Sequence, residues 1–486
     1  MVTYAFPASF HTTVVFMTHT TTILVTLIVY KIVMILIGLF AGGKTKDETD
    51  FFLGGRTLGP WIASLSASAS SSSAWTLLGV SGAAYAWGLS ALWIFPGCLG
   101  GFFLNWYLVA SRLREVGHRD DALTVTDILA GPKGSPLRNT LAITASAIIL
   151  FSLLFYVASQ FQGSGKTFEA AFGLSKNNAI LLGSAIIIFY TLIGGFWAVS
   201  LTDALQGTLM ALTALLLPVG ALFAVGGPLQ LWHAVNEIEG FNSVARNLPW
   251  AAGLGFVFGL LGIGLGYPGQ PHVVNRYMAM RDETAVITGR RIALVWALIV
   301  YTGMLVLGLC GRVLFPELAD KELVFLVAAQ DLFHPLLGGI MIAAVLSATM
   351  STADSQLLVA ASCVTHDLPG SENRKTLVVS RVAVLLLSAG AVLVAIYGTN
   401  EIFSKVLFAW SAMGSAFGPL LLVILYRGRV AAPYALAAMI LGFVLSVTAY
   451  SFPASKGTAV ERILPFVVAL AVAWLGARKS AQSPRA

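Results

Sequence analysis

Charge is scarce in this chain. Asp, Glu, Lys and Arg make up 10% of its 486 residues and hydrophobic residues 57%, and the mean hydropathy is +0.83. A soluble domain carries roughly 25% charged residues, so a soluble fold is excluded and a polytopic membrane protein is expected. Cysteine is almost absent too. Cys98, Cys310 and Cys363 each fall in a hydrophobic window without metal-ligand spacing, which excludes a disulfide framework and leaves packing as their role. None of the seven histidines stands in a His-Glu-x-x-His or other metal or nucleophile motif, so a membrane enzyme is disfavoured. Long polar stretches are missing as well: those at about 112–138, 227–248 and 316–335 are too short for an appended soluble domain. The first twenty residues lack a basic n-region and a cleavage site, and read as a short external tail rather than a signal peptide.

What the chain has in abundance is apolar sequence of membrane-crossing length. Windows of about 20 residues place spans at about 22–42, 61–84, 90–111, 139–161, 178–198, 204–226, 249–271, 291–315, 336–363, 377–397, 403–426, 432–452 and 461–478. The expected fold is therefore all-α with about 13 transmembrane helices. Lys44, Lys46, Arg56, Arg112, Arg114, Arg119, Arg138, Arg276, Arg281, Arg290, Arg291, Arg374, Lys375, Arg427, Arg429, Arg478 and Lys479 collect on one side of these spans, against a few such as Lys166, Lys176 and Lys321 on the other. The rich side is cytoplasmic by the positive-inside rule, which puts the N-terminus outside and the C-terminus inside a cell (inner) membrane. This bias accounts for the net charge of +7, so nucleic acid is not a partner; membrane lipid is.

Two spans are interrupted, five apart. The second carries a tract of small residues, Ser64 to Ala74, and the seventh ends in Gly262-Ile-Gly-Leu-Gly-Tyr-Pro-Gly-Gln-Pro-His272. A pair of broken spans at matching positions points to an inverted-repeat secondary transporter that binds its ligands at unwound backbone near the midplane. Non-helical backbone at that depth survives only where it is buried in protein or lines a cavity, and its freed carbonyls, with Ser or Thr hydroxyls, suit a hard cation such as sodium.

In the ninth span Ser347, Ser351 and Ser355 recur every four residues, with Thr352 and Asp354 beside them; close helix packing is the other reading of such small residues. Asp354 is an acid inside a span, which marks an ion path or a structural hydrogen bond. Asp203, after Thr202 where the sixth span is expected to begin, is either a site residue or an N-cap. Lys31, mid-way along the first span, either snorkels or faces a neighbouring helix. A half-helix beginning near Ser73 would offer free N–H groups to a carboxylate on an amino acid or small organic acid. The solute pocket is then expected from Ser71, Ser73 and Trp75 on one break and Ile263, Tyr267, Gln270 and Pro271 on the other, although Trp75 and Tyr267 could also be packing aromatics.

At these residues the chain resembles the sodium:solute symporter family, in particular its bacterial sodium/proline symporter branch. The resemblance is carried by Asp50 to Pro60 (DFFLGGRTLGP), the Leu65-Ser-Ala-Ser-Ala-Ser tract through Trp75, Gly194 to Gln206 (GGFWAVSLTDALQ), Gly264 to His272 (GLGYPGQPH) and Met350 to Leu358 (MSTADSQLL). It implies a leucine-transporter-like core of two inverted five-helix repeats, spans 2–6 within 61–226 and spans 7–11 within 249–426. Residues 1–60 and 432–486 lie outside that core. It also implies sodium ligands at the carbonyls of Ala69, Ser72 and Ala348 and the hydroxyls of Ser351 and Thr352, and a second cation position or release path at Asp203, Ser351, Asp354 and Ser355. The implied function is sodium-coupled import of proline or another amino acid. A monocarboxylate-type symporter and a transporter-like sensor with a separate signalling partner are the alternatives. Two positions depart from the proline branch: Ser71 stands where it carries an acid, and Ile263 where it carries a Trp four residues before the tyrosine of span 7.

Overall fold

The computed structural model of the protein describes residues 8–42, 48–193, 196–368 and 376–477. Residues 1–7 of the expected tail, Lys44, Lys46, Arg374, Lys375 and the C-terminus from 478 lie outside the described residues. All named elements are helical, with no strand among the described residues. Among the described residues, ten stretches are long and apolar enough to cross a membrane. One of them, Trp75–Arg119, holds the end of span 2 and all of span 3. Gly88, at φ 59° and ψ −136°, turns the chain between the two, and a Cβ there would lie 2.2 Å from the Phe241 carbonyl oxygen, so conformation and space both demand glycine. Span 5 is Lys176–Ile193 and span 13 ends in Leu464–Leu475. Each of the thirteen expected spans thus has its helix.

Two boundaries differ from expectation. The segment read as an external tail is helical from Ala8, continuous with span 1 to Gly42. Span 6 begins at Phe196 and runs to Val225, so Asp203 lies two turns inside the helix and does not cap it.

Both breaks fall where the local chemistry opposes a continuous helix. Span 2 is helical over Pro60–Ser71, after which Ser72 leaves the helical region at φ −120°, ψ 75°. Serine hydroxyls compete for the backbone there, as Ser71 Oγ does by donating to the Ser68 carbonyl at 2.9 Å. The chain resumes as a π-helical turn at Trp75–Val80, a form that recurs at functional sites. Span 7 is α-helical over Trp250–Leu261, tightens to a 3₁₀ run at Gly262–Gly269, breaks at Gln270 and restarts with Pro271 at the first position. Glycine and Pro268 weaken the helix here, and glycine also lets neighbours approach: a Cβ on Gly264 would lie 2.5 Å from the Gly97 carbonyl oxygen.

Burial orders the bundle. In the membrane windows of spans 9 and 11, 83% and 89% of residues are buried, against 22% for span 1 and 28% for spans 10 and 12, so the first pair is central and the others present apolar faces such as Phe40, Leu386 and Val444 to lipid. Span 6 packs against spans 2 and 9, span 11 against the break of span 7, and span 1 against spans 6 and 9. At the arginine-rich end a short loop helix, Val125–Ala130, opens with a capping box between Thr124 and Asp127. Burial alone would raise the Asp127 carboxyl, but the hydrogen bond and charge of His366, with Leu123 N–H and Arg138, hold it below the usual carboxylate range. His366 Nε2 and Arg138 Nη2 each lie 2.9 Å from it, tying this loop to spans 9 and 4.

Candidate ion and solute site

The break in span 2 faces the hydroxyl stripe of span 9. Thr352 Oγ1 lies 3.4 Å from the Ala69 carbonyl oxygen and 3.3 Å from that of Ser70. Next to it, Ser351 Oγ is buried with no hydrogen-bond partner, and Ala348, one turn earlier, is fully buried. Ser72 N–H returns to the Ala69 carbonyl at 3.2 Å, and Ser72 Oγ lies 3.5 Å from the Tyr301 hydroxyl. A buried hydroxyl without a partner costs about 1–3 kcal/mol, which an oxygen-seeking cation would offset. Carbonyls and hydroxyls with no full negative charge form a donor set that suits sodium.

One turn further along span 9 the chemistry becomes ionic. Asp203 Oδ2 accepts from Ser66 Oγ at 2.9 Å, from Ser70 Oγ at 3.1 Å and from Ser355 Oγ at 3.4 Å. It also pairs at 3.1 Å with Arg276 Nη2, both side chains being 1% exposed. Arg276 donates further to Ser355 Oγ and the His272 carbonyl. Arg276 counts among the cytoplasmic-side arginines in the sequence, but it is buried. Asp203 and Ser355 therefore come together as expected, with a guanidinium among them. Asp354 turns the other way. Its Oδ1 accepts from Thr191 of span 5. Lys31 faces the bundle rather than snorkelling: its Nζ meets Met350 Sδ and lies 5.7 Å from the Tyr190 ring centroid. Tyr30 beside it shares a 2.7 Å hydrogen bond with Ser347, so span 1 engages the stripe at two points. A cleft lined by Leu123, Thr124, Asn275, Arg276, Ser355 and Ser362 reaches this cluster from the arginine-rich end.

Aromatic side chains close the space between the two breaks. Tyr267 OH and Tyr301 OH are 3.0 Å apart, the Trp75 ring stands edge-on to Tyr301 at 6.2 Å, and the Trp410 ring stands edge-on to Tyr267 at 4.7 Å. Trp410 Nε1 donates to the Ile263 carbonyl at 3.1 Å, so span 11 supplies an aromatic wall beside the position where span 7 carries isoleucine. Gln270 Nε2 donates to the Gly266 and Trp410 carbonyls, both at 3.0 Å, leaving its Oε1 unpartnered, as is Trp75 Nε1. One expectation is corrected. The half-helix N-terminus is not free, because Ala74 N–H donates to Gln160 Oε1 and Trp75 N–H to Ser73 Oγ, each at 3.1 Å. Ser71 Oγ is likewise engaged by its own helix, and Pro271, which opens the helix after the break, is buried. Tyr301, Trp410, Gln160 and the pairing of Arg276 escape the sequence reading. Arg276 alone carried a signal, an arginine within one helical turn or two of unwound backbone.

The profile of the sodium:solute symporter family matches residues 51–442. The chain belongs to the sodium:solute symporter family. It is 37% identical over 454 residues to the osmoregulated proline transporter of Bacillus subtilis, covering 91% of this chain and 92% of that one. It is 39% identical over 443 residues to the sodium/proline symporter of Escherichia coli, covering 88% and 87%. Among solved structures it is similar to a Na+-coupled sialic acid symporter in a substrate-bound outward-open state, with TM-score 0.77 at 18% identity over 94% of this chain and 99% of that one. A nucleobase-cation-symport-1 family transporter follows at TM-score 0.57 and 12% identity, over 87% and 93%. At those identities the structures speak for the fold alone, and that fold is the expected leucine-transporter-like membrane core.

Proposed function

We propose that the protein imports proline, or an amino acid of similar size, together with sodium. The observation that carries this is the meeting of the Thr352 hydroxyl with the Ala69 and Ser70 carbonyls at the helix break, with the neighbouring Ser351 hydroxyl buried and without a partner. Sodium is held by Ala69, Ser72, Ala348, Ser351 and Thr352, and the solute by Ser73, Trp75, Tyr267 and Gln270, with Ser71, Ile263 and Pro271 shaping the walls. Trp75 Nε1 offers a donor for a carboxylate and Gln270 Oε1 an acceptor for an ammonium or imino group, a pairing that favours an amino acid over a monocarboxylate. Because the half-helix N–H groups are engaged, charge recognition falls to these side chains. The relatives named for proline support the same reading.

The test is uptake of labelled L-proline into proteoliposomes holding only this protein, under an inward sodium gradient, with lactate and acetate as competitors. Sodium-driven accumulation that proline quenches and lactate does not is expected. Gradient-independent equilibration, or binding without uptake, would reject transport in favour of a sensor.

The orientation follows from the basic residues: arginine-rich loops in the cytoplasm, N-terminus outside, in the cell membrane. All three native cysteines are buried, so an impermeant maleimide reports only introduced thiols. Ala454→Cys should label in intact cells and Lys133→Cys only after permeabilisation; the reverse pattern inverts the topology.

A further inference from the structure

We propose that Asp127, His366 and Asp367 form a binding site for one divalent transition-metal ion of the zinc class, at the arginine-rich end of the bundle. The site is separate from the two helix breaks and stands independently of the transport reading above.

The three side chains come from two elements. Asp127 belongs to the short loop helix Val125–Ala130, whereas His366 and Asp367 close span 9 in a π-helical turn, Cys363–Asp367, a form that recurs at functional sites. The fold thus joins donors that stand 239 residues apart in the chain. One ligating atom from each of the three lies within 4.8 Å of the other two. The His366 ring packs against Phe52, with centroids 5.6 Å apart, and holds its Nε2 2.9 Å from Asp127 Oδ2.

A count of lone pairs shows where an ion is wanted. An ionised carboxylate has about four acceptor sites. On Asp127, Arg138 takes one, the Leu123 and Thr124 amides take two, and the last meets His366. Asp367 is less well satisfied. Its Oδ1 accepts from Thr124 Oγ1 at 2.7 Å, but its Oδ2 is buried with no partner, in a residue only 9% exposed. A buried carboxylate oxygen left unpaired is destabilising, and a second acid close by adds repulsion. A divalent ion between them answers both.

The donor set selects the ion. One imidazole with two carboxylates suits zinc and its neighbours, whereas magnesium and calcium take oxygen ligands. Tetrahedral zinc with bonds of about 2.0–2.2 Å needs its ligand atoms roughly 3.4 Å apart, so atoms now within 4.8 Å of one another have little distance to close. A water molecule would complete the tetrahedron. The Asp127 and His366 side chains keep 17% and 21% exposure, which gives the ion and that water their way in. Bound there, the ion would staple the loop helix to the helix that carries Ser351 and Thr352.

The test is titration of the purified full-length protein, free of any histidine tag, with Co2+ as a spectroscopic stand-in for zinc, read by its visible absorption and by equilibrium dialysis. The parent is expected to bind one Co2+ with a tetrahedral spectrum, to release it to Zn2+ and to keep it against excess Mg2+. His366→Gln, which keeps a hydrogen-bond donor for Asp127, should lose that spectrum. Asp367→Asn should bind at least about tenfold more weakly, since even outer partners of a metal site are worth 10–100-fold. The melting temperature of the parent should rise with Zn2+ by mass action, and that of His366→Gln should not. No tetrahedral Co2+ on the parent, displacement by Mg2+, or equal binding to the parent and both variants overturns the proposal. Should His366→Gln fail to stay monodisperse, Asp367→Asn alone decides: unchanged affinity overturns the site, and weakened affinity supports it.

Discussion

At the scale of single residues, the sodium cage and the acids behind it use different physics. Ser351 and Thr352 contribute neutral oxygens whose desolvation is repaid by a bound ion. Hydrogen bonds or ligand contacts to a charged group contribute about 1.5–3 kcal/mol each, and roughly 1.4 kcal/mol is a factor of ten in affinity. Ser351→Ala or Thr352→Ala should therefore raise the sodium concentration for half-maximal uptake by roughly tenfold or more, with smaller effects on solute affinity at saturating sodium. Sodium activation curves that overlay the parent's in both variants would remove these residues from the cage. Their spacing was legible in the sequence because a hydroxyl every four residues on an apolar helix is a polar stripe whatever its purpose. Arg276 was not legible. An arginine just past a span end reads as a topology signal, and only the fold shows that the helix beginning at Pro271 turns it inward onto Asp203.

At the scale of elements, the break of span 7 holds its shape through side chains from other spans. Asn105 Nδ2 donates to the Tyr267 carbonyl at 3.2 Å, and Trp410 covers Gly266 so closely that a Cβ there would lie 2.2 Å from its ring. Gly266→Ala should push the Trp410 indole out of its edge-on contact with Tyr267. Because the substitution leaves the sodium cage untouched, solute uptake should fall at least tenfold while 22Na+ binding is retained. Equal loss of both would mean that the glycine serves the whole bundle rather than the chamber. Both breaks were legible, since runs of Ser and of Gly with Pro disfavour a helix whatever surrounds them. Helix starts were less so. The sixth span was expected eight residues late because Ser200, Thr202 and Asp203 lower the hydropathy of its first turns, where all three are buried. The aromatic wall was hidden for a related reason: Tyr301 and Trp410 are single aromatics in long apolar helices, indistinguishable by sequence from packing residues until spans 8 and 11 are laid against the breaks.

At the scale of the whole molecule, the count of ions sets what the transporter can accumulate. One sodium ion entering down about 100 mV releases roughly 2.3 kcal/mol, and a tenfold sodium gradient adds about 1.4. Together these allow several hundredfold accumulation of a net-neutral solute, and two ions would square that ratio. The distinction is cleanest with the membrane potential clamped at zero, where only concentration terms remain. A tenfold inward sodium gradient then balances a tenfold outward proline gradient if one ion moves per solute, so net proline flux should vanish. With two ions the sodium term doubles, and inward flux should continue until the solute ratio reaches about a hundred. Zero net flux at the tenfold ratio is the expected result, because Arg276 already pairs with Asp203 and one cage of neutral oxygens remains; continued influx would mean that this guanidinium gives way to sodium during the cycle.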